Sequence, residues 1–223
     1  MTPRILAIDT TTEFGSLALV CGGQVVEELL LHARDGFGHV LYPHLETLLA
    51  RHGWDLADID CYAPASGPGS FTGIRVGLAA AKGLAEALAK PVVAVSNLQA
   101  VAWFGKSALR ATVLDARRGE VYAAVYAASL EPVLSEVVTK FPAWLASLPE
   151  GDLEFLSTDF TPFRAALAGT RFEHALVTEV PRALASAVGR IAAERFAAGH
   201  ALDPAVIDAN YVRRSDAELF WKD

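Results

Sequence analysis

The first part of the chain alternates short apolar runs with polar turns. An apolar run at 4–8 precedes a polar turn, and an alternating run at 15–21 continues through Gly22-Gly23 into another at 24–31. Alternation with a period of two is typical of half-buried strands, and a glycine pair between two such runs favours a hairpin. The pattern therefore predicts a three-stranded meander at the start of the protein.

Apolar residues then recur at helical spacing in two segments. Leu41, Leu45 and Leu48 lie on one face of a helix predicted over 39–52, and a second helix is predicted over 73–89. Both segments show the spacing of three or four residues that places apolar side chains on one side of a helix. These two helices are the most regular in the sequence.

The other predicted elements are shorter. Apolar runs at 59–65, at 91–95 ("PVVAV") and at 153–157 predict strands. Helices are predicted over 142–148 and 182–198, the latter ending before a glycine. The remaining carboxyl-terminal residues predict an extended tail.

One pattern occurs twice. "ATVLDARRGEVYAAVY" has the same order as "RILAIDTTTEFGSLALV", namely an apolar strand, an Asp, a polar turn and an alternating strand, with Asp9 and Asp115 in equivalent places. A true repeat would give two similar lobes facing each other across a cleft. The pattern alone leaves a second explanation open, because an Asp that ends a strand before a turn is common. We expect lobes at 1–105 and 106–223, with the tail in the second.

Composition narrows the function classes. The 223 residues carry a net charge of −7 and 52% hydrophobic residues, with a pI near 5.4. A broad nucleic-acid surface needs clustered Lys and Arg, so another chain is expected to hold most of any nucleic acid. Cys21 and Cys61 stand singly in apolar runs, which indicates free thiols in a reducing compartment. Without a signal-peptide core or a long apolar run, we expect a cytoplasmic protein with no membrane contact.

The loop "ASGPGSFTGIRVG" at 65–77 resembles three known active-site loops without fitting any of them. A dinucleotide fingerprint needs glycine where Thr72 stands, and a P-loop needs Lys after its last glycine, where Ile74 follows Gly73. A nucleophile elbow needs glycine two residues either side of Ser70, and these positions hold Pro68 and Thr72. No catalytic residue is predicted in this loop.

A simpler chemistry remains for the same loop. A strand that enters a Gly-Pro-Gly turn and then a helix leaves backbone N–H groups and the Ser70 and Thr72 hydroxyls at a helix N-terminus. Such a terminus can bind an anion, or the serine can simply cap the helix. Both alternatives stay open. The six histidines never form HExxH, so no metal site is predicted.

The helix over 73–89 has little charge. Only Arg75, Lys82 and Glu86 are charged, and they form one narrow stripe. A helix that is apolar over most of its circumference must be covered on more than one side, so we expect it to pair with 39–52 and to face another subunit. We expect Gly77→Leu to weaken that complex without unfolding the chain. The predicted interface residues are Leu41, Leu45, Leu48, Gly73, Ile74, Gly77 and Leu78.

Five stretches resemble the TsaB (YeaZ) family, which acts in the biosynthesis of threonylcarbamoyladenosine in tRNA. They are "ILAIDTTT", "SGPGSFTGIRVGLAAAKGLA", "PVVAVSNLQAVA", "LDARRGEVYAAVY" and "NYVRR". The second is quite specific, whereas each of the others alone would be weak. Together they cover nearly the whole chain, and the match is loose over 132–201.

The resemblance implies a fold and a vestigial site. The implied fold is an α/β, two-lobed actin-like or ribonuclease H-like (ASKHA) fold, with a duplicated mixed sheet flanked by helices. In active members of this superfamily, polar hairpins face nucleotide phosphates, while Ala116-Arg117-Arg118 lacks the small residues that admit phosphate. We therefore expect no required cofactor and at most weak ATP or ADP binding. The residues implied for that vestigial cleft are Asp9, Thr10, Thr11, Gly67, Gly69 and Ser70.

The resemblance also implies a role and partners. The related catalytic subunit, TsaD, carries a metal-binding His-x-Glu-Gly-His where this chain has Asn97, Gln99, Ala100 and Val101. Neither imidazole is present, so the chain is expected to be a non-catalytic partner of a TsaD-type subunit. A TsaE-type ATPase is a further expected partner, tRNA is contacted only indirectly, and a homodimer forms when the chain is alone. The alternatives are an active small-molecule kinase or ATPase of the same superfamily, or a peptidase.

Overall fold

The structure is a computed structural model that describes residues 2–213, and it contains two β-sheets. The strands are β1 (Arg4–Asp9), β2 (Phe14–Cys21), β3 (Gln24–His32), β4 (Cys61–Pro64), β5 (Leu109–Asp115), β6 (Val121–Ala127), β7 (Pro132–Thr139), β8 (Leu153–Ser157) and β9 (Leu176–Glu179). The helices are α1 (Leu41–Arg51), α2 (Phe71–Ala87), α3 (Asn97–Ala102), α4 (Phe141–Ser147), α5 (Thr161–Arg164) and α6 (Ala185–Ala197).

The first sheet has the strand order β3-β2-β1-β4. Strand β1 pairs antiparallel with β2, so that Asp9 lies opposite Ser16, and it pairs parallel with β4. Helix α2 packs against β1 and β4, while α6 packs against the other face of β1 and β2. Strand β1 is covered on both faces. This agrees with its sequence, in which every residue between Arg4 and Asp9 is apolar.

The second sheet repeats this arrangement. Its order is β7-β6-β5-β8-β9, and β5 pairs antiparallel with β6 and parallel with β8, as β1 does with β2 and β4. Asp115 ends β5 as Asp9 ends β1. The predicted duplication and the mixed α/β fold class are confirmed.

Several elements differ from the expectations. The run at 91–95 forms only isolated bridges, between Tyr62 and Val92 and between Ala65 and Val95, so the strand expected there is wrong as a complete strand. Strands β7 and β9 were not expected, and both lie at sheet edges. In β7 polar residues interrupt the apolar ones, and β9 has only four residues, of which two are apolar. The tail contains a 3-10 turn at Pro204–Val206, and its residues 214–223 lie outside the described residues.

The chain forms two compact units. One holds the residues up to Ala100 together with Arg182–Asn210, and the other holds Val101–Pro181 together with 211–213 among the described residues. These units differ from the expected division at 105/106, because the first stretch of the first unit ends at Ala100 and helix α6 belongs with the first sheet, together with the tail as far as Asn210. Gly189 lies against Val20 and Ala7 there, at distances that leave little room for a side chain.

The first sheet also caps α6. The Ser16 hydroxyl accepts hydrogen bonds from Leu184 N at 3.1 Å and Ala185 N at 2.9 Å, and Glu28 Oε1 accepts one from Ser186 N at 2.7 Å. The first N–H groups of a helix have no partner inside the helix. Ser16 and Glu28 supply these partners, so β2 and β3 fix the start of α6.

The tail after α6 also belongs largely to the first unit. Lys82 Nζ donates to Ile207 O at 2.8 Å, and Asn210 N donates to Ser66 O at 2.8 Å. Ile207 is buried in the same core as α1 and α2. Lys82, which stood in the predicted charged stripe of the helix, therefore holds the tail beside α2.

In the second unit, aromatic side chains fill the space between the sheet and α4 and α5. Phe155 of β8 packs against four other aromatic rings, and Trp144 and Phe141 of α4 lie among them.

No helix among residues 2–213 is long and apolar enough to cross a membrane.

Candidate functional site

A buried polar network lies where β1 ends. Asp9 Oδ1 accepts hydrogen bonds from Thr11 N at 2.9 Å, Thr11 Oγ1 at 2.7 Å and Asn97 Nδ2 at 3.4 Å. All three residues are buried. Burial raises the pKa of Asp9 above its usual range, although these hydrogen bonds oppose the shift. The fold therefore favours the neutral form of this carboxyl group.

Asn97, the first residue of α3, connects this turn to the glycine loop. Its Nδ2 donates to Thr11 Oγ1 at 2.7 Å, and its Oδ1 accepts from Gly67 N at 3.0 Å. Its backbone N–H donates to Gly67 O at 2.9 Å. Sequence reasoning used Asn97 only as a missing metal ligand. A buried amide needs hydrogen-bond partners, but the sequence "SNLQ" gives no sign that Asn97 is the buried one of its two amides.

The glycine loop lies directly on the turn after β1. Ser70 N donates to Thr11 O at 2.7 Å, and Thr10 Oγ1 donates to the carbonyl of Gly73 at 2.7 Å. A Cβ atom at Gly69 would lie 2.5 Å from Thr11 O, and one at Gly73 would collide with Thr10 O. These glycines permit two backbone segments to touch.

The six residues predicted for a nucleotide cleft are thus brought together, but they bind one another. Asp9, Thr10, Thr11 and Gly67 are buried, and the Ser70 hydroxyl accepts a hydrogen bond from Gly73 N at 3.3 Å. That contact is the helix-capping alternative for Ser70. Anion binding by this loop stays a prediction.

The corresponding turn of the second sheet shares one contact with the first. Asp115 Oδ1 accepts from Arg117 N at 2.8 Å, as Asp9 Oδ1 accepts from Thr11 N. Asp115 itself is exposed, whereas Asp9 is not. No three His, Cys, Asp or Glu side chains in the described part of the chain are grouped so that they could hold a metal ion.

The predicted interface residues lie in the core of the first unit, and this expectation needs correction. The five apolar side chains are at most 6% exposed, and both glycines are buried. These residues lie on the side of each helix that faces the core, not on the side that faces solvent. The seven buried residues are Leu41, Leu45, Leu48, Gly73, Ile74, Gly77 and Leu78.

Gly77 illustrates the error. A Cβ atom there would lie 2.5 Å from Thr10 Oγ1 and 3.7 Å from Ile8 Cγ2, both inside the unit. Gly77→Leu would therefore disturb the packing of α2 on β1, and the expectation that this variant leaves the fold intact is withdrawn.

Other residues of the same helices form the outer surface. Tyr42 at the start of α1 is 49% exposed and Phe71 at the start of α2 is 45% exposed. The Arg75 guanidinium lies 3.7 Å from the centre of the Phe71 ring. Farther along α2, Ala79 and Gly83 are exposed, and no atom lies within 4 Å of a Cβ built at Gly83. These four exposed residues of α1 and α2, Tyr42, Phe71, Ala79 and Gly83, are together called the outer helix surface below.

The sequence matches one family model. The family is described as "TsaD: tRNA N6-adenosine threonylcarbamoyltransferase", and the match covers residues 32–197.

Among curated proteins, the TsaB protein of Bacillus subtilis is 31% identical over 229 residues, which cover 97% of each chain. The TsaB protein of Escherichia coli is 42% identical over 127 residues, covering 55% of this chain. The matched region spans 54% of the length of the E. coli protein. Both relatives carry the name "tRNA threonylcarbamoyladenosine biosynthesis protein TsaB".

Two solved structures are similar to this chain over nearly the full length of both chains. YeaZ from Pseudomonas aeruginosa is 28% identical with a TM-score of 0.79, covering 94% of this chain and 99% of that one. A second P. aeruginosa structure, described as an uncharacterized protein with similarity to peptidase YEAZ, has a TM-score of 0.80 at 28% identity, covering 95% and 100%.

Proposed function

The chain belongs to the TsaB (YeaZ) family, and from this we propose that it is a non-catalytic partner of a TsaD-type catalytic subunit in tRNA modification. In this role it is required for threonylcarbamoylation of adenosine at N6, while the TsaD-type subunit performs the transfer. We also propose, as finer points, that a TsaE-type ATPase assists and that the isolated chain forms a homodimer.

The outer helix surface is the observation that carries the partner role. Exposed aromatic residues such as Tyr42 and Phe71 are typical anchors of protein interfaces. Ala79 and Gly83 follow Phe71 along α2, and their small size lets another helix approach the backbone closely. We infer that the TsaD-type subunit binds here.

The buried network supports a non-catalytic role. Asp9, Thr11 and Asn97 use their polar groups on one another, and burial disfavours the charged Asp9 carboxylate that metal-nucleotide chemistry would need. At position 97 an amide stands where the family resemblance places an imidazole metal ligand. Weak ATP or ADP binding stays a prediction that this proposal does not require.

Gly83→Leu tests the surface. A leucine at Gly83 meets open space in the isolated chain and is a better helix former than glycine, so the melting temperature of the variant should equal or exceed that of the wild type. In the complex its side chain would separate the helices, and we expect at least a tenfold loss of affinity, about 1.4 kcal/mol. Co-elution with the TsaD-type subunit in size-exclusion chromatography measures the effect.

Two matched variants complete that experiment. Gly77→Leu makes the same change on the inner side of α2 and should lower the melting temperature, because its side chain meets Thr10. Ala197→Leu adds bulk to an exposed position of α6 and should change neither property. Undiminished co-elution of Gly83→Leu would show that the partner binds elsewhere.

A further inference from the structure

The hairpin between β5 and β6 has a strained, basic tip. Arg117, Arg118 and Gly119 have φ angles of 64°, 56° and 74°, in the left-handed region. Two hydrogen bonds close the turn, from Glu120 N to Arg117 O and from Ala116 N to Glu120 O, both at 3.0 Å. Glycine adopts this region freely, whereas a residue with a Cβ atom is strained there.

Stability does not account for the arginines. A tight hairpin of this kind favours Asn or Gly where φ is positive, so the two arginines lower the stability of the turn. None of residues 10–13, in the corresponding connection of the first sheet, has a positive φ. Strained residues that a fold retains on its surface often serve function.

The base of the hairpin is held firmly. Asp115 Oδ1 accepts from Arg117 N at 2.8 Å, and the Arg213 guanidinium donates to Ala116 O at 2.8 Å and to the Glu120 carboxylate. Arg213 thereby neutralises the acidic residue nearest the tip. These hydrogen bonds hold the base of the hairpin, and the charge of Glu120 is compensated by Arg213.

The tip presents positive charge to solvent. Arg117 and Arg118 are both exposed. The Arg117 guanidinium has no recorded hydrogen bond or ion pair to any residue of 2–213. A guanidinium group offers paired N–H donors whose spacing matches two oxygens of a phosphate. The Arg117 guanidinium on this preformed turn, with the positive charge of the exposed Arg118 beside it, makes a small site for a phosphate group.

We propose that Arg117 and Arg118 bind backbone phosphate of RNA. The inference rests on the proposed function, in which the substrate of the complex is a tRNA, and it adds one direct contact by this chain. The net charge of −7 repels RNA from the rest of the surface, so the contact is local and the partner subunit holds most of the tRNA.

Glycine substitution separates function from structure. The double variant Arg117→Gly with Arg118→Gly removes both guanidinium groups and relieves both positive φ angles, so its melting temperature should equal or exceed that of the wild type. In complex with a TsaD-type subunit, we expect its apparent affinity for an unmodified tRNA transcript to fall by about tenfold. The slope of log affinity against log salt should fall by about one for each arginine that contacts a phosphate. Fluorescence anisotropy at several salt concentrations measures both.

Further variants make the result decisive. Arg117→Gln with Arg118→Gln should lose the same affinity without added backbone freedom, and Arg164→Gln, an exposed arginine of the same unit, should lose none. Unchanged affinity and salt slope in the double variants would overturn the proposal. Wild-type chain that binds no TsaD-type subunit would instead contradict the proposed function, and the titration is then made on the isolated chain.

Discussion

At the scale of single residues, the structure distinguishes groups that the sequence presents alike. Asp9 and Asp115 both end a strand and both accept a hydrogen bond from the residue two positions on. Asp9 is buried among Thr11 and Asn97, whereas Asp115 is exposed. The equivalent positions of Asp9 and Asp115 could be predicted from the sequence. The burial of Asp9 could not, because it depends on the glycine loop that covers the turn after β1.

The buried carboxyl group makes a pH prediction. Burial raises the pKa of Asp9 in the folded state, and the nearby charge of Glu28 raises it slightly further. Stability is therefore lost as the pH rises through that pKa. Asp9→Asn keeps an oxygen for the three donors and cannot ionise, so it should raise the melting temperature at pH about 8.

Thermal unfolding between about pH 4 and pH 8 checks this prediction. The advantage of Asp9→Asn over the wild type should shrink toward low pH, as the wild-type carboxyl group becomes protonated in the unfolded state as well as in the folded state. A variant destabilised equally at every pH would mean that the carboxylate is needed as an anion in this network.

At the scale of elements, the packing of α2 and α6 shows where sequence reasoning stops. The helical period places Gly77 and Gly83 on different sides of α2. It does not say which of the two sides faces the sheet. Contact with Thr10 decides this, and Thr10 lies far away in the sequence. Helix α6 was assigned to the second lobe because its contacts with β2 span 168 residues of chain.

The cap of α6 is testable. Ser16→Ala removes the hydroxyl oxygen that accepts hydrogen bonds from Leu184 N and Ala185 N. Two buried N–H groups then lose this acceptor. We expect a loss of about 1–3 kcal/mol in the free energy of unfolding. Urea denaturation measures it, with Ser135→Ala, at an exposed position of β7, as the matched control. Equal stability of the two variants would show that the cap contributes nothing.

At the scale of the whole molecule, a local sequence pattern indicated the duplication, and the family resemblance implied the mixed sheet. Strand, Asp, turn and strand lie within about twenty residues, so a repeat of that order could be read directly. The outer helix surface could not be read in this way, since it is defined by what the core leaves uncovered. The net charge of −7 is a sum over the whole chain, so it gives no sign of the local positive charge at Arg117 and Arg118.

Reconstitution of tRNA modification tests the central claim most directly. A TsaD-type subunit, supplied with its activated threonylcarbamoyl donor and TsaE-type ATPase, should form threonylcarbamoyladenosine in tRNA only when this chain is added. The chain without the TsaD-type subunit should form none, and Gly83→Leu should restore little activity. Equal product without this chain, or product from this chain alone, would contradict its assignment as a required, non-catalytic partner.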